Sequence, residues 1–162
     1  MLARQLGDLL HERGLTVAVA ESCTGGLVGS LITDQPGSSA YFLGGVIAYS
    51  DAVKRDELGV AAALLKRVGA VSAEVAQAMA DGARSRFGTD LAVGVTGLAG
   101  PDADGSDKPV GLTYVAVASE HGGSVHEYRF TGDRWSNRRQ AAGEALRLLA
   151  DEARSVVKVK SA

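Results

Sequence analysis

The segment that most constrains the fold lies between residues 16 and 33. An apolar run, Thr16 to Ala20, is followed at once by Glu21-Ser22-Cys23-Thr24-Gly25-Gly26 and then by a helical pattern that ends at Thr33. A buried strand that turns through glycines into a helix is typical of α/β proteins, and it places a hydroxyl and a thiol at the strand's end. Backbone amides at a helix start favour negative charge. The pattern therefore predicts chemistry at residues 22–26, where a phosphate or an acyl-transfer oxyanion would be held.

Length and composition favour a single α/β domain over residues 1–162. The chain is of ordinary single-domain size, and an apolar content of 46% with only 5% aromatics predicts a core of Ala, Val and Leu. Its 21 glycines suit strand-to-helix turns better than a helical bundle. A net charge of −2 argues against nucleic acid as a partner, since nucleic-acid binders normally have a basic face.

Cysteine and charge placement predict a cytoplasmic protein. The single cysteine excludes an internal disulfide and suits a reducing compartment. Charged residues interrupt residues 1–15, so no signal peptide is predicted, and no apolar run approaches the ~20 residues of a membrane span. The histidines are scattered, so neither a metal nor another cofactor is expected.

Hydrophobic periodicity predicts helices that alternate with strands. Helices are predicted from Leu2 to Gly14, over 24–33, 52–58, 61–68 and 72–87, and from Asp133 onward; strands are predicted over 16–20, 41–50, 91–95, 110–118 and 125–130. This order predicts a three-layer α/β/α sandwich with a mixed, partly antiparallel central sheet. The tail, residues 158–162, is predicted to be frayed.

Four segments lie at strand ends or in glycine loops, where ligands of α/β sheets bind: 21–26, 38–54, 94–100 and 108–111. None has a known phosphate-binding signature, and the spacing Gly94-x-x-Gly97-x-x-Gly100 is too generic to identify a nucleotide fold. Taken singly, each glycine loop is more often an ordinary turn.

Five motifs nevertheless occur in one order along the chain. They are Ala-Glu-Ser-Cys-Thr-Gly-Gly (20–26), Gly-Ser-Ser-Ala-Tyr-Phe-x-Gly-Gly-Val-Ile-x-Tyr-Ser (37–50) with Lys54, Gly-x-Thr-Gly-Leu-Ala-Gly-Pro (94–101), Lys-Pro-Val-Gly (108–111) and Phe-Thr-Gly-Asp-Arg (130–134). Together they strongly resemble the C-terminal domain of the CinA (competence-damage-inducible) family, in its stand-alone form, over nearly the whole chain. The resemblance implies an amidohydrolase that converts nicotinamide mononucleotide to nicotinic acid mononucleotide and ammonia, in pyridine nucleotide salvage.

The resemblance also implies the catalytic residues, with Ser22 as the nucleophile and Tyr49 and Lys54 as its partners. Amide hydrolysis needs a nucleophile, a base, a proton donor for the leaving ammonia and an oxyanion site. A lysine serves as the base when burial lowers its pKa. Tyr49 would relay the proton or orient Lys54.

Further residues are expected to contact the substrate. The oxyanion would be held by backbone amides, those of Thr24, Gly25 and Gly26. Phosphate is expected at Arg134 or Arg138, because arginine at a helix start is poorly placed unless a bound anion compensates, although a salt bridge to Asp133 would also explain Arg134. Other ribose or phosphate contacts fall in the matched motifs: Ser39, Gly45, Thr96 and Gly97.

Each catalytic residue has an alternative interpretation. Ser22 is equally explained as the N-cap of the next helix. Cys23 is the rival nucleophile, but a lone cysteine at this position is more often a small buried hydrophobic residue. Tyr49 fits core packing, and Lys54 fits a solvated helix face.

One loop departs from the family pattern. The family tends to have several glycines after Gly100-Pro101, whereas residues 102–107 read Asp-Ala-Asp-Gly-Ser-Asp. These carboxylates would repel a phosphate if they pointed inward. The loop therefore favours a second hypothesis, a non-catalytic nucleotide-binding or regulatory module. Under either hypothesis a homo-oligomer is expected, because small α/β enzymes often form symmetric assemblies.

Overall fold

Five strands form one mixed sheet between two layers of helices in the computed structural model, which describes residues 1–157. The tail that was predicted to be frayed lies outside the described residues. The strands are β1 (Val17–Glu21), β2 (Phe42–Ile47), β3 (Leu91–Gly97), β4 (Leu112–Ser119) and β5 (Gly122–Arg129). The helices are α1 (Leu2–Arg13), α2 (Leu27–Thr33), α3 (Asp51–Leu58), α4 (Ala62–Val68), α5 (Ala73–Phe87) and α6 (Arg134–Ser155).

The strand order, β2-β1-β3-β4-β5, places three parallel strands side by side. β1 pairs in parallel with both β2 and β3, whereas β4 is antiparallel to β3 and to β5. The carboxyl ends of the parallel strands, at Glu21, Ile47 and Gly97, therefore meet at one edge of the sheet. The prediction of a mixed, partly antiparallel sheet is confirmed.

Alternation along β1 separates two apolar cores. Val17 and Val19 pack against α1, α2 and α6, while Ala18 and Ala20 face α3 and α5. The residues facing α5 are small because the helix lies close to the sheet: a Cβ on Gly94 of β3 would lie 2.4 Å from a carbonyl oxygen of α5. Helices thus cover both faces, and the predicted three-layer sandwich is confirmed.

The predicted ends of the long helices are confirmed. The Ser72 side chain accepts a hydrogen bond from the Val75 amide and caps α5, which Gly88 ends in a left-handed conformation. Asp133 caps α6 in the same way through the Ser136 amide.

Several predicted boundaries are wrong, and the reason is clear for three of them. α2 begins at Leu27 rather than Thr24, because Gly25 and Gly26 have φ values of 61° and 100° and so interrupt the helical turn. β3 continues through Gly97, since its pairing with β4 extends to that residue. β5 begins at Gly122 rather than Val125, since its pairing with β4 extends to that residue.

Candidate active site

Ser22 and Lys54 meet in the interior at the carboxyl edge of the sheet. Lys54 Nζ lies 3.2 Å from Ser22 Oγ, and the lysine is only 1% exposed. The same nitrogen lies 2.9 Å from the Ala48 carbonyl oxygen and 3.3 Å from that of Tyr49. Burial lowers the pKa of the Lys54 amine, while the negative charge of Asp51 acts in the opposite direction. Lys54 is therefore not a solvated surface lysine.

Backbone hydrogen bonds hold both residues in place. Ser22 follows β1 directly, and its amide donates to the Val95 carbonyl oxygen of β3 at 2.9 Å. α3 starts at Asp51, after the Ser50 side chain accepts from the Val53 amide, and this start turns Lys54 inward on the first turns of the helix. Since α2 begins five residues after Ser22 with Gly26 as its N-cap, the N-cap interpretation of Ser22 is wrong.

The amides at the start of α2 bind a side chain of the protein itself. The buried carboxylate of Glu21 accepts from the amides of Gly26, Val28 and Gly29 at 3.0, 3.1 and 2.8 Å. The prediction that these helix amides would hold a phosphate is therefore wrong, because an internal anion already satisfies them. Glu21 was missed as a functional residue, although a glutamate inside an apolar strand is a visible signal for such a role.

Replacing Glu21 with glutamine is expected to destabilise the protein by roughly 2–3 kcal/mol, because the new amide has one acceptor oxygen where the carboxylate accepts three hydrogen bonds. Urea unfolding measures the change. Glu12→Gln, at an exposed position of α1, is the matched control and is expected to unfold like the wild type. Equal stability of the two variants would contradict the role of Glu21.

The predicted oxyanion amides differ in their availability. The Gly25 amide donates to the Ser22 carbonyl oxygen at 3.0 Å, and the Gly26 amide is held by Glu21, so both are already used. Within the described chain, the Thr24 amide has no hydrogen-bond acceptor, whereas the Cys23 amide interacts with the sulfur of its own side chain. The Thr24 hydroxyl is likewise buried without a partner among residues 1–157. The Thr24 amide is thus the free backbone donor of this turn.

The Cys23 thiol is buried, and its environment disfavours the nucleophilic thiolate. Burial raises the pKa of this thiol to about 12, so the thiolate is scarce. We expect iodoacetamide at pH 8 to leave the native protein unmodified and to alkylate it fully in urea, as measured by intact mass. Rapid alkylation of the native protein would restore Cys23 as a rival nucleophile.

Tyr49 does not contact the serine–lysine pair through its hydroxyl. Only its backbone carbonyl oxygen reaches Lys54; the side chain is 61% exposed, so the core-packing interpretation is wrong. Its hydroxyl accepts from Arg134 Nη2 at 3.1 Å, and Arg134 Nη1 donates to the Gly100 carbonyl oxygen at 2.7 Å. Arg134 forms no salt bridge with Asp133, which instead caps α6. The expected hydrogen-bonding link from the Tyr49 hydroxyl to Lys54 is absent from the described contacts.

Arg138 lies on the other side of the nucleophile turn. Its Nε donates to the Cys23 carbonyl oxygen at 3.0 Å, and its Nη2 donates to that of Thr24 at 2.9 Å. The guanidinium also lies 6.0 Å from the ring of Trp135. Arg134 lines the cavity at Ser22, whereas Arg138 braces the turn that follows it.

A cavity of about 270 Å³ opens onto Ser22 and Lys54. Thr96 and Gly97 line it as expected, but the Thr96 hydroxyl donates to the Ala70 carbonyl oxygen at 2.9 Å and so helps to fix the cavity wall. Asp102 and Asp104 also line it, so two carboxylates of the acidic loop face the cavity.

Two expected substrate contacts lie elsewhere. Ser39 precedes β2, at the opposite end of the strands, and lines a separate cavity of about 600 Å³ beside α1. Gly45 lies within β2, where a Cβ would lie 2.3 Å from Val19 Cγ2, so this glycine is required by strand packing. Neither residue lines the Ser22 cavity. The expectation that Ser39 and Gly45 contact a substrate bound at Ser22 is therefore wrong.

Two further residues fix the walls of the cavity. The buried Asn137 amide donates to the Ala99 carbonyl oxygen at 3.0 Å and accepts from Gly132. Lys108 donates to the carbonyl oxygens of Val68 and Val71, which joins the acidic loop to the turn before α5. Asn137 follows the cap of α6 by four residues, and no sequence signal identifies its partner.

Among residues 1–157, no group of His, Cys, Asp and Glu side chains is arranged to hold a metal ion. In the same range, no helix has the length and apolarity needed to cross a membrane.

These features define an α/β protein with a buried serine–lysine pair in a cavity at the carboxyl edge of its sheet. The family model of the CinA C-terminal domain matches residues 1–153, and the chain belongs to this family. The resemblance recognised from the five motifs is confirmed.

Relatives and solved structures agree with this membership. A CinA-like protein of Geobacter sulfurreducens is 55% identical over 138 residues, which cover 85% of this chain and 33% of that protein. The chain spans about a third of the length of the curated relatives it matches. The crystal structure of the competence/damage inducible protein CihA from Agrobacterium tumefaciens has a TM-score of 0.90 and 40% identity, over 93% of this chain and 92% of that one. A CinA superfamily protein of Klebsiella pneumoniae has a TM-score of 0.92 and 31% identity, over 96% and 97%.

Proposed function

We propose that this protein is an amidohydrolase that hydrolyses the carboxamide of nicotinamide mononucleotide to nicotinic acid mononucleotide and ammonia. The observation that carries the proposal is the 3.2 Å contact between Ser22 Oγ and the buried Lys54 Nζ, in a cavity large enough to admit part of a ligand. A serine is a weak nucleophile until an adjacent base removes its proton, and a desolvated lysine is such a base.

Burial lowers the pKa of Lys54 and so favours the neutral amine, and the contacts of Lys54 would orient that form. A neutral amine has two N–H groups and one lone pair. Two carbonyl oxygens, those of Ala48 and Tyr49, accept the N–H groups, which leaves the lone pair for the Ser22 hydroxyl. The backbone of the 48–49 turn thus orients the base, and this is the role that the sequence assigned to the Tyr49 side chain.

The reaction proceeds in two stages. Lys54 takes the Ser22 proton while Oγ attacks the carboxamide carbon, and the oxyanion is held by the free amide of Thr24. The C–N bond then breaks, and the proton on Lys54 passes to the leaving nitrogen, which departs as ammonia. Lys54 next takes a proton from water, the hydroxide attacks the acyl carbon, and Ser22 Oγ leaves with that proton as the carboxylic acid forms and ionises.

Arg134 is the cation that fits the substrate phosphate. It lies at the rim of the Ser22 cavity, where its hydrogen bonds to the Tyr49 hydroxyl and the Gly100 carbonyl oxygen leave its positive charge unneutralised. Arginine binds phosphate through the same planar array of donors. Tyr49 acts in this proposal as a support for Arg134.

One observation favours a second candidate, a nucleotide-binding module without turnover. Asp102 and Asp104 line the cavity, and their charges oppose the entry of a phosphate. In solvent this repulsion is screened, because both residues lie on an exposed loop. The amidohydrolase remains the better proposal because a binding module needs no buried lysine in hydrogen-bond contact with a serine hydroxyl.

An ammonia-release assay with nicotinamide mononucleotide separates the two candidates. The purified protein is incubated with the substrate, and ammonia and nicotinic acid mononucleotide are both quantified, in equal amounts if the proposal is correct. Binding of nicotinamide mononucleotide by calorimetry without ammonia release would select the binding module. Neither binding nor release by a folded protein would contradict both candidates.

A further inference from the structure

Arg138 is placed to act on the nucleophile turn rather than on a substrate phosphate. Its guanidinium donates to two successive carbonyl oxygens, those of Cys23 and Thr24, at 3.0 and 2.9 Å. No carboxylate within the described chain forms a salt bridge with it, and it does not line the Ser22 cavity. The positive charge of this half-buried arginine therefore lies against the backbone that immediately follows the nucleophile.

The geometry of a trans peptide shows in which direction the amide N–H groups of this turn point. In a trans peptide, the carbonyl and the following N–H point in opposite directions, and both peptides of this turn are trans. Because Arg138 holds the carbonyls of Cys23 and Thr24, the N–H groups of Thr24 and Gly25 point away from it. The Gly25 N–H reaches the Ser22 carbonyl oxygen at 3.0 Å, so the Ser22 carbonyl lies on the side away from Arg138. The Thr24 N–H points to that side and has no acceptor among residues 1–157.

We infer that Arg138 is a positioning residue of the oxyanion site: it fixes the Cys23–Thr24 peptide so that the Thr24 amide faces the reacting carbonyl. This inference rests on the proposed acyl-transfer function. Hydrogen bonding of a cation to the Cys23 carbonyl also polarises the same peptide, which makes the Thr24 N–H a stronger donor. Arg134 and Arg138 lie one helical turn apart on α6 and thereby have different roles. Arg134 binds the phosphate, whereas Arg138 positions the amide that stabilises the oxyanion at the carboxamide carbon.

Two substrates distinguish these tasks. Nicotinamide mononucleotide and nicotinamide riboside have the same carboxamide and ribosylated ring, but only the first has a phosphate. Arg138→Gln is expected to lower kcat for both substrates by a similar factor, about 10²-fold, as for the loss of one oxyanion donor. Arg134→Gln is expected to lower kcat/KM far more for the mononucleotide than for the riboside. Arg139→Gln, an exposed change on the same helix, is the control and is expected to match the wild type.

A fluorophosphonate probe tests the inference without either substrate. Phosphonylation of Ser22 forms an oxyanion-like centre, so Arg138→Gln is expected to slow labelling, and Arg138→Lys, which keeps the charge but only one contact, is expected to give an intermediate rate. Circular dichroism and thermal unfolding confirm that each variant is folded; if Arg138→Gln does not fold, Arg138→Lys alone decides.

The outcomes separate the inference from the proposed function. A selective rise in KM for the mononucleotide in Arg138→Gln or Arg138→Lys, with kcat for the riboside and the labelling rate equal to wild type, would overturn the inference and make Arg138 a phosphate ligand. A wild type that is labelled at Ser22 but releases no ammonia from either substrate would instead contradict the proposed function. In that case the labelling rates of the Arg138 variants still test the inference.

Discussion

Replacing Ser22 with alanine is expected to lower kcat for ammonia release by at least about 10³-fold, while the protein keeps its fold. The loss is large because the lysine base and the free Thr24 amide act on a nucleophile that no longer exists. Stability is expected to change by less than about 1 kcal/mol, since the methyl group fits the same space and Lys54 keeps its two carbonyl acceptors. Steady-state ammonia release and thermal unfolding measure the two effects.

Ser30→Ala is the matched control for this experiment. Ser30 is exposed on α2, and its replacement removes the same hydroxyl group away from the cavity. Turnover at the wild-type rate by a folded Ser22→Ala protein would contradict the acyl-enzyme mechanism. It would direct attention to a water nucleophile or to Cys23.

Replacing Lys54 with methionine is expected to lower kcat by about 10²- to 10⁴-fold, because methionine keeps the length of the side chain and removes the base. The pH profile of the wild type provides a second measurement. Burial lowers the pKa of Lys54, so the neutral, active amine appears as pH rises through a value below that of an ordinary lysine. We therefore expect kcat to rise with pH through that value and to reach a plateau above it.

The same shift affects stability with a defined sign. Between the lowered pKa of Lys54 in the folded protein and the ordinary value in the unfolded chain, the unfolded state binds more protons. The free energy of unfolding of the wild type, relative to Lys54→Met, should therefore rise with pH across that window. Lys66→Met, at an exposed position of α4, is the control, and it should show neither the kinetic loss nor this pH dependence. A wild-type kcat that falls with rising pH would contradict a lysine base.

Corrections to the predicted site have a common cause. Sequence motifs assigned Gly25 and Gly26 to an oxyanion hole and Tyr49 to the lysine, because all of them lie near Ser22 or Lys54 along the chain. Whether an amide is free depends on its acceptors, and two of these amides are already bound by the Ser22 carbonyl and by Glu21. Proximity in the sequence does not show which donor is already satisfied.

Ser39 illustrates a second limit. It belongs to the same motif as Tyr49, yet the two residues lie before and after β2, and so at opposite ends of one strand. Six strand residues extend the chain by roughly 20 Å. A motif that spans a whole strand therefore cannot supply two residues of one small cavity.

The sequence by itself determined the succession of strands and helices along the chain, the helix caps at Ser72 and Asp133, and the membership of the family. These follow from local physics: alternation of apolar residues, side chains that satisfy helix amides, and motifs read in one order. The two cores on opposite faces of β1 follow from the same alternation.

Only the tertiary structure decided which side chains meet. Lys54 reaches Ser22 across 32 residues, and Arg138 reaches Cys23 across 115, because parallel pairing brings the ends of β1 and β2 together and α6 packs beside the turn after β1. Such contacts depend on strand register and helix packing, which the whole core sets at once. Residue types along the chain therefore predict the chemistry of the site, while the hydrogen-bond partners of its backbone amides, of Lys54 and of Arg134 and Arg138 depend on how the layers pack.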